Sequence, residues 1–399
     1  MKHFFILGNH PRLSLAEISS VLKQAPKSNF QNLALFDLKK NTKLQKLQKT
    51  LAGTIKIGKI IQKTTPDFFQ RDILSVILKH IKKEQKINFG ISAYSVKIDI
   101  KKIALDIKKK LKEKNIKSRW VQSREKTLSS VMVKTNKLLT KKGIEIVLFQ
   151  DPSINVYPNQ KPLFLLGITQ TVQPFAEFSQ RDYGRPKRDA RSGMLPPKLA
   201  RLMINLSQSY KSNTLLDPFC GSGTVLQEAL LLGYKKIIGA DSSAKAVNNS
   251  MENIQWLNKT QNSENPQKAI QFLHSEIRQI DKYLAQNSIS AIITEPYLGP
   301  PLRGRESISQ VYKILNQLTR LYLEYFQAFQ KIIQFKGKII IIFPIIQKQY
   351  LNILPQIQSM GFMQDKKFLG LYDNKVRKSF LYKREGQKVW REIFIFKKI

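Results

Sequence analysis

The sequence predicts an α/β protein. A basic α+β front half leads through an irregular stretch into a doubly wound parallel sheet. Three observations carry this. After residue 198, short Ile- and Leu-rich runs alternate with helical stretches, as in strand–helix–strand units. Before it, residues 170–197 collect Pro174, Gly184, Pro186, Gly193, Pro196 and Pro197, the composition of a linker or a crossing loop. Further forward, residues 1–150 hold 33 Lys and Arg against 10 Asp and Glu, a net +23 of the chain's +40.

In the front half, His3–Leu7 and Leu33–Leu38 read as strands. Ser14–Leu22 reads as a helix opened by a capping box, Ser14 with Glu17. Helices are expected at Asp72–Lys82, Ile103–Lys114 and Ser129–Leu139, and strands at Asn88–Ser92 and Ile144–Leu148. Lys101, Lys102, Lys108, Lys109, Lys110, Lys112 and Lys114 line the second of those helices, with Ile103, Leu105, Ile107 and Leu111 as its apolar stripe. In the second half, strands are expected at Thr214–Leu216, Lys236–Ala240, Ile270–Leu273, Ala291–Ile293, Lys338–Phe343 and Ile393–Phe396. Helices are expected at Val225–Leu232, Ala244–Leu257, Ile308–Ile333 and Leu351–Met360.

The 399 residues allow two or three domains. A net charge of +40 speaks against an enzyme of small neutral metabolites and for a polyanionic partner, nucleic acid or an anionic membrane. An AT-rich genome would also enrich lysine. The one cysteine, Cys220, excludes a disulfide framework or a Cys-rich zinc site, and no metal is expected. The apolar run after Lys2 is shorter than a signal peptide's core, and Ile339–Ile346 is too short to span a bilayer. The expectation is a cytoplasmic protein that does not enter a membrane.

The strongest local pattern is Asp217-Pro218-Phe219-Cys220-Gly221-Ser222-Gly223-Thr224, where a strand should end, a glycine turn follow and a helix begin. Two glycines let the backbone approach a ligand, and a helix N-terminus offers N–H groups to an anion. A dinucleotide fingerprint needs a third glycine and a P-loop needs Gly-Lys-Ser/Thr; both are missing. The whole run resembles the first motif of class I S-adenosylmethionine-dependent methyltransferases, in the form found in enzymes that methylate nucleobase amines. Asp241, ending the next strand, is suited to accept both ribose hydroxyls. That resemblance implies an acid at the third strand's end for the adenine amine; Ser275 stands there, with Glu276 next to it.

The fourth strand runs into Thr294-Glu295-Pro296-Tyr297, which resembles the [Asp/Asn/Ser]-Pro-Pro-[Tyr/Phe] motif of amino methyltransferases. An aromatic amine is a poor nucleophile until acceptors take its N–H groups, and an aromatic ring stacks the flipped base. Pro296 and Tyr297 match, whereas Thr294 and Glu295 depart. Three options stay open: a modified amine site, a carboxylate supplied one residue late by Glu295, or a binding protein without activity.

The front half adds to this. Phe5 to Ile18, Lys117-Ser118-Arg119-Trp120-Val121, Leu128-Ser129-Ser130, Lys142-Gly143-Ile144-Glu145, Arg181-Asp182-Tyr183-Gly184-Arg185-Pro186 and Gly193 to Ala200 resemble, in order, the THUMP-domain tRNA guanine N2-amine methyltransferases. The resemblance implies a ferredoxin-like domain over 1–60, a THUMP RNA-binding domain over 61–165, a linker over 166–200 and a Rossmann-like methyltransferase domain over 201–399. It implies transfer of a methyl group from S-adenosylmethionine to the exocyclic amine of a tRNA guanosine at position ten, and leaves room for a small activator subunit. Asp217, Pro218, Phe219, Gly221, Gly223, Thr224, Asp241, Ser275 and Glu276 are the candidate cofactor-binding residues. Thr294, Glu295, Pro296 and Tyr297 are the candidate catalytic residues, and Arg119, Arg181, Arg185 and Arg188 the candidate RNA contacts. The rival readings are an adenine-amine or ribosomal RNA guanine methyltransferase, and a non-catalytic RNA-binding protein.

Overall fold

The computed structural model describes residues 1–81, 86–96, 98–150, 163–188, 194–261 and 269–399. Lys82 and residues 189–193 of the expected linker, Gly193 among them, lie outside them. The chain divides into two compact units, residues 1–11 with 24–175 and residues 12–23 with 176–399.

The first unit is built on β1 (Lys2–Leu7), β2 (Ser28–Phe30), β3 (Leu33–Asp37), β4 (Thr54–Thr64), β5 (Ile87–Tyr94), β6 (Ser118–Trp120), β7 (Gly143–Gln150) and β8 (Phe164–Val172). They form one sheet in the order β2-β3-β1-β4-β8-β7-β5-β6. β5 pairs with β6 and β7 in parallel, and the other pairs are antiparallel. The sheet therefore runs without a break past residue 60, where the sequence suggests a boundary. β4 and β8, unforeseen as strands, are what join its two parts.

Helix α1 (Pro11–Leu22) clusters mostly with the second unit, and α2 (Leu44–Thr50), α3 (Phe69–His80), α4 (Ile100–Glu113) and α5 (Ser130–Thr135) complete the first. α1 starts three residues before the expected cap, because Pro11 supplies a first-turn φ and lacks the N–H a helix start leaves unpaired. Ser14 and Glu17 are therefore buried helix-interior residues and no capping box, and Glu17 accepts a hydrogen bond from Asn205 Nδ2 at 2.7 Å. On α4, Asp99 caps the first turn by accepting from the Lys102 N–H at 3.0 Å. Its buried stripe is Ile103, Ala104, Ile107 and Leu111; Leu105 faces outward, as do the lysines.

The second unit contains α6 (Phe175–Tyr183), α7 (Pro197–Ser207), β9 (Thr214–Asp217), α8 (Thr224–Leu231), β10 (Lys236–Asp241), α9 (Ala244–Gln261), β11 (Ile270–His274), β12 (Ile289–Thr294), α10 (Ile308–Ile332), β13 (Ile333–Ile346), β14 (Gln349–Tyr350), α11 (Leu354–Ser359), β15 (Phe362–Gln364), β16 (Phe380–Tyr382) and β17 (Val389–Lys398). The sheet order is β11-β10-β9-β12-β13-β17-β15. Its first five strands are parallel, but β17 runs antiparallel to β13, so the sheet is mixed and not all-parallel as expected. Parts of the stretch read as irregular are helical. Pro174 precedes α6, and Pro197 is the first residue of α7, so these prolines mark helix starts. Pro344 sits in β13 opposite Arg391, beyond the last residue that β12 pairs, where a missing N–H is tolerated. α10 packs Leu315, Leu318, Tyr322, Phe326 and Phe329 onto β12, β13 and β17, a core in which each large side chain contributes about 1.5–3 kcal/mol.

Candidate active site

β9 and β12 are neighbours, yet the chain passes from β9 to β10 and β11 on one side and from β12 to β13 on the other. Such a reversal leaves a crevice at the strands' carboxyl ends. The two motifs meet there. Asp217 ends β9, Thr294 ends β12, and the Thr294 hydroxyl donates to Asp217 Oδ1 at 2.6 Å. Both side chains are buried. Burial pushes the Asp217 carboxyl up to about 7; bonds from Thr294 and the Phe219 N–H oppose the shift, and the charges of Asp241 and Glu295 add to it.

After Asp217 the chain turns through the glycine loop. Gly221 has φ +51° and open space where a Cβ would stand. Gly223 has φ +80°, and a Cβ there would meet Ser250 Oγ at 2.2 Å, so only glycine fits. The Gly221 N–H donates to Asp241 Oδ2 at 2.9 Å and the Ser243 N–H to Oδ1 at 3.0 Å. Asp241 is thereby fixed beside the open glycine, and each oxygen keeps a lone pair for a hydroxyl. Pro218 is buried, and the Phe219 ring lies 4.5 Å from that of Tyr325, so both support the loop from below. Burial pushes the Cys220 thiol up, which makes it a packing residue and no nucleophile. The Ser275 N–H bonds the Asp241 carbonyl at 3.0 Å, while its hydroxyl turns to the Glu276 carbonyl. Glu276 is exposed at the end of β11.

In the fourth motif, Glu295 is already engaged. Arg391 of β17 grips it with Nε at 2.5 Å from Oε1 and Nη2 at 3.1 Å from Oε2. Burial opposes both charges, but the carboxylate holds the Arg391 guanidinium above its usual range, and the pair is ionic. Glu295 is thus a strut between β12 and β17, and its carboxylate is not free for an amine. Pro296 is buried and Tyr297 is 54% exposed. The Tyr297 carbonyl accepts from the buried Tyr322 hydroxyl at 3.2 Å, which fixes the turn that carries its ring.

Two of the four expected RNA contacts are buried. Arg181 Nε reaches Glu228 Oε1 at 2.5 Å, and Arg201 Nε reaches Oε2 at 2.6 Å, a triad that ties α6 and α7 to α8. Arg185 donates to Thr224 Oγ1 at 2.6 Å and clamps the first residue of α8. Arg119 and Arg188 are exposed, the latter 5.4 Å from the Tyr183 ring. Sequence reasoning also missed Asn253, whose side chain bonds the Ser222 carbonyl at 2.8 Å and the Lys187 carbonyl at 2.9 Å. Among the described residues no three His, Cys, Asp or Glu side chains gather as a metal site.

Comparison with known proteins gives this site a context. A family described as "RMKL-like, methyltransferase domain" matches residues 185–348, and one described as "DNA methylase" matches residues 59–252. A protein of Methanothermococcus thermolithotrophicus named "Probable tRNA (guanine(10)-N2)-dimethyltransferase" is 30% identical over 123 residues, which span 31% of this chain and 74% of that one. The chain belongs to the tRNA (guanine(10)-N2)-dimethyltransferase family. The family member of Methanothermobacter thermautotrophicus is 35% identical over 107 residues, 27% of this chain. That of Methanocaldococcus jannaschii is 26% identical over 147 residues, 36% of this chain. The matched parts span only 28% and 40% of those two relatives' lengths. Among solved structures, TrmN from Thermus thermophilus superposes with TM-score 0.55 at 12% identity, covering all of both chains. A possible methylase from Clostridium difficile gives 0.52 at 14%, covering 100% of this chain and 99% of the other. At such identity these two show the fold alone, a Rossmann-like methyltransferase sheet. For this family member the contiguous first motif was legible, whereas Arg391, Arg185 and Asn253 carry no local signal.

Proposed function

We propose that this protein transfers a methyl group from S-adenosylmethionine to the N2 amine of guanosine ten in tRNA, in the cytoplasm. The observation that carries the reading is the junction of the two motifs through the Thr294–Asp217 bond at the switch point of the sheet. The residues fit the cofactor: the Gly221 cradle is open to a close backbone approach, Asp241 is poised for ribose hydroxyls, and the carboxyl groups of Asp217 and Asp241 suit a cationic sulfonium. When bound, the cofactor supplies an electrophilic methyl carbon. Asp241, Gly221 and Glu276 would hold its adenosine, the α8 N-terminus its carboxylate, and Tyr297 would stack the guanine. In this reading the first unit is the ferredoxin-like and THUMP RNA-docking part. The exposed lysines of α4 support it. So does a pocket of about 170 Å³ lined by Lys101, Trp120, Arg124 and Lys126. Among the described residues no helix is long and apolar enough to cross a membrane.

The test is methyl transfer from labelled cofactor to total tRNA, followed by mass spectrometry of the nucleosides. N2-methylguanosine at position ten is expected; N6-methyladenosine, or no transfer at all, sinks the reading. Affinity for tRNA should fall with salt by about 0.7–0.9 in log–log slope for each phosphate contact, and removing Lys108, Lys109 and Lys110 should flatten the slope.

A further inference from the structure

We propose that Thr294 and Asp217 act as a relay at the position that holds Asp, Asn or Ser in the motif this turn resembles: the Thr294 hydroxyl accepts a proton of the substrate amine as it passes its own to Asp217. The proposal rests on the amine-methylation reading above and names the group that takes the proton.

The geometry leaves few alternatives. The Glu295 carboxylate is held at two points by Arg391. The Tyr322 hydroxyl sits between the carbonyls of Tyr297 and Ile342, at 3.2 Å from each. Burial keeps the Cys220 thiol protonated. Asp217 is the acid that bonds Thr294, at 2.6 Å; both groups are buried, so the substrate amine must displace the residues that cover Thr294 to reach its Oγ. A lone hydroxyl is a weak acceptor. One that donates to a buried carboxylate is polarised and becomes a better one. Thr294 is also the last residue of β12, three positions before the exposed Tyr297 ring.

The step balances. The amine nitrogen gains the methyl carbon as that carbon's bond to sulfur breaks, and the electron pair stays on sulfur. The nitrogen gives one proton to Thr294 Oγ, and the Thr294 proton moves to Asp217 Oδ1. The sulfonium charge and the carboxylate charge vanish together. Asp217 faces Asp241 from β10, Glu295 beyond β12 and Cys220 from the loop, and forms no ion pair with a described Lys, Arg or His. Its acid strength, near 7, suits a proton acceptor at neutral pH.

The experiment compares wild type with Thr294→Val, Thr294→Ser and Asp217→Asn. Single-turnover transfer to tRNA is followed across pH. Cofactor affinity is measured by calorimetry, and the Asp217 carboxyl is titrated by infrared spectroscopy in the ligand-free protein. The wild-type rate should rise with pH through the Asp217 titration. Thr294→Val and Asp217→Asn should each lose about 100-fold or more, the latter with that pH dependence gone, while Thr294→Ser keeps most of the rate. In the ligand-free protein, Thr294→Val should move the Asp217 titration upward, because the Thr294 bond favours the charged form. The proposal is overturned if Thr294→Val keeps its rate, loses cofactor affinity in step with rate, or leaves the Asp217 titration unmoved. If Thr294→Val does not fold, Thr294→Ser and Asp217→Asn decide between a pH profile that follows Asp217 and one that does not. A wild type that methylates no tRNA overturns the proposed function instead, and the ligand-free titration still decides the coupling.

Discussion

Two buried carboxylates, one in each unit, are treated in opposite ways. Glu145 of β7 receives Lys56 Nζ at 2.5 Å, Ser92 Oγ at 2.6 Å and Thr169 Oγ1 at 2.6 Å, and is fully buried. Lys56 itself also bonds the Leu128 carbonyl at 2.7 Å. Asp217 of β9 is buried as deeply but receives one hydroxyl and one backbone N–H, and is pushed up to about 7. The first is a saturated joint that fixes β4, β5, β7 and β8 in register. The second is held short of full satisfaction at the crevice, where the proposed relay would deliver its proton. Under-compensation, more than burial, separates a carboxylate set for chemistry from one set for structure.

That contrast breaks down or sharpens under mutation. The largest effect is expected at the saturated site. Lys56→Met leaves Glu145 buried without its cation and should cost about 3–5 kcal/mol in urea denaturation. Adding Glu145→Leu should recover most of that loss. If the single variant is neutral, Glu145 is not the structural joint described. The opposite sign is expected at Asp217. Its folded value of about 7 lies above the ordinary aspartate value of 3.8, so the folded chain prefers the neutral acid. Stability falls as pH rises from about 4 to about 7 and stays low above that, and Asp217→Asn removes the loss. Thermal melts should show Asp217→Asn matching wild type at pH 4 and exceeding it at pH 8 by up to about 4 kcal/mol. A variant weaker than wild type at pH 8 would make Asp217 a second structural joint. The smallest effect is on binding. Asp241, partly exposed and oriented by two backbone N–H groups, should be dispensable for folding. Asp241→Ala should weaken S-adenosylmethionine binding about 100-fold, near 3 kcal/mol for two charge-assisted hydrogen bonds. Unchanged affinity in calorimetry would remove Asp241 from the ribose site.

The legibility of these sites follows the span of the interactions that make them. The glycine loop reads directly, because strand end, turn and helix start lie within eight consecutive residues and the positive φ of Gly221 and Gly223 demands glycine. The fourth motif reads only in part. Its departure from pattern is visible at Thr294 and Glu295, but the partner that occupies Glu295 stands 96 positions on, at Arg391. Arg181 and Arg185 look like phosphate contacts in a chain this basic. Their partners, Glu228 and Thr224, lie 47 and 39 positions away, and neither arginine's surroundings indicate burial.

Sequence alone therefore settled the α/β class, the strand–helix alternation of the second unit, the two motifs and the concentration of charge in the front half, since periodicity, turn chemistry and composition act over short stretches of chain. Tertiary structure decided which groups those motifs meet. It carried α1 into the second unit, joined the front strands into one sheet, reversed β17, locked Glu295 and set Thr294 on Asp217. Each of these depends on packing between residues far apart in the chain, where burial strips water from a charge and the nearest partner, near or far in sequence, determines what it does.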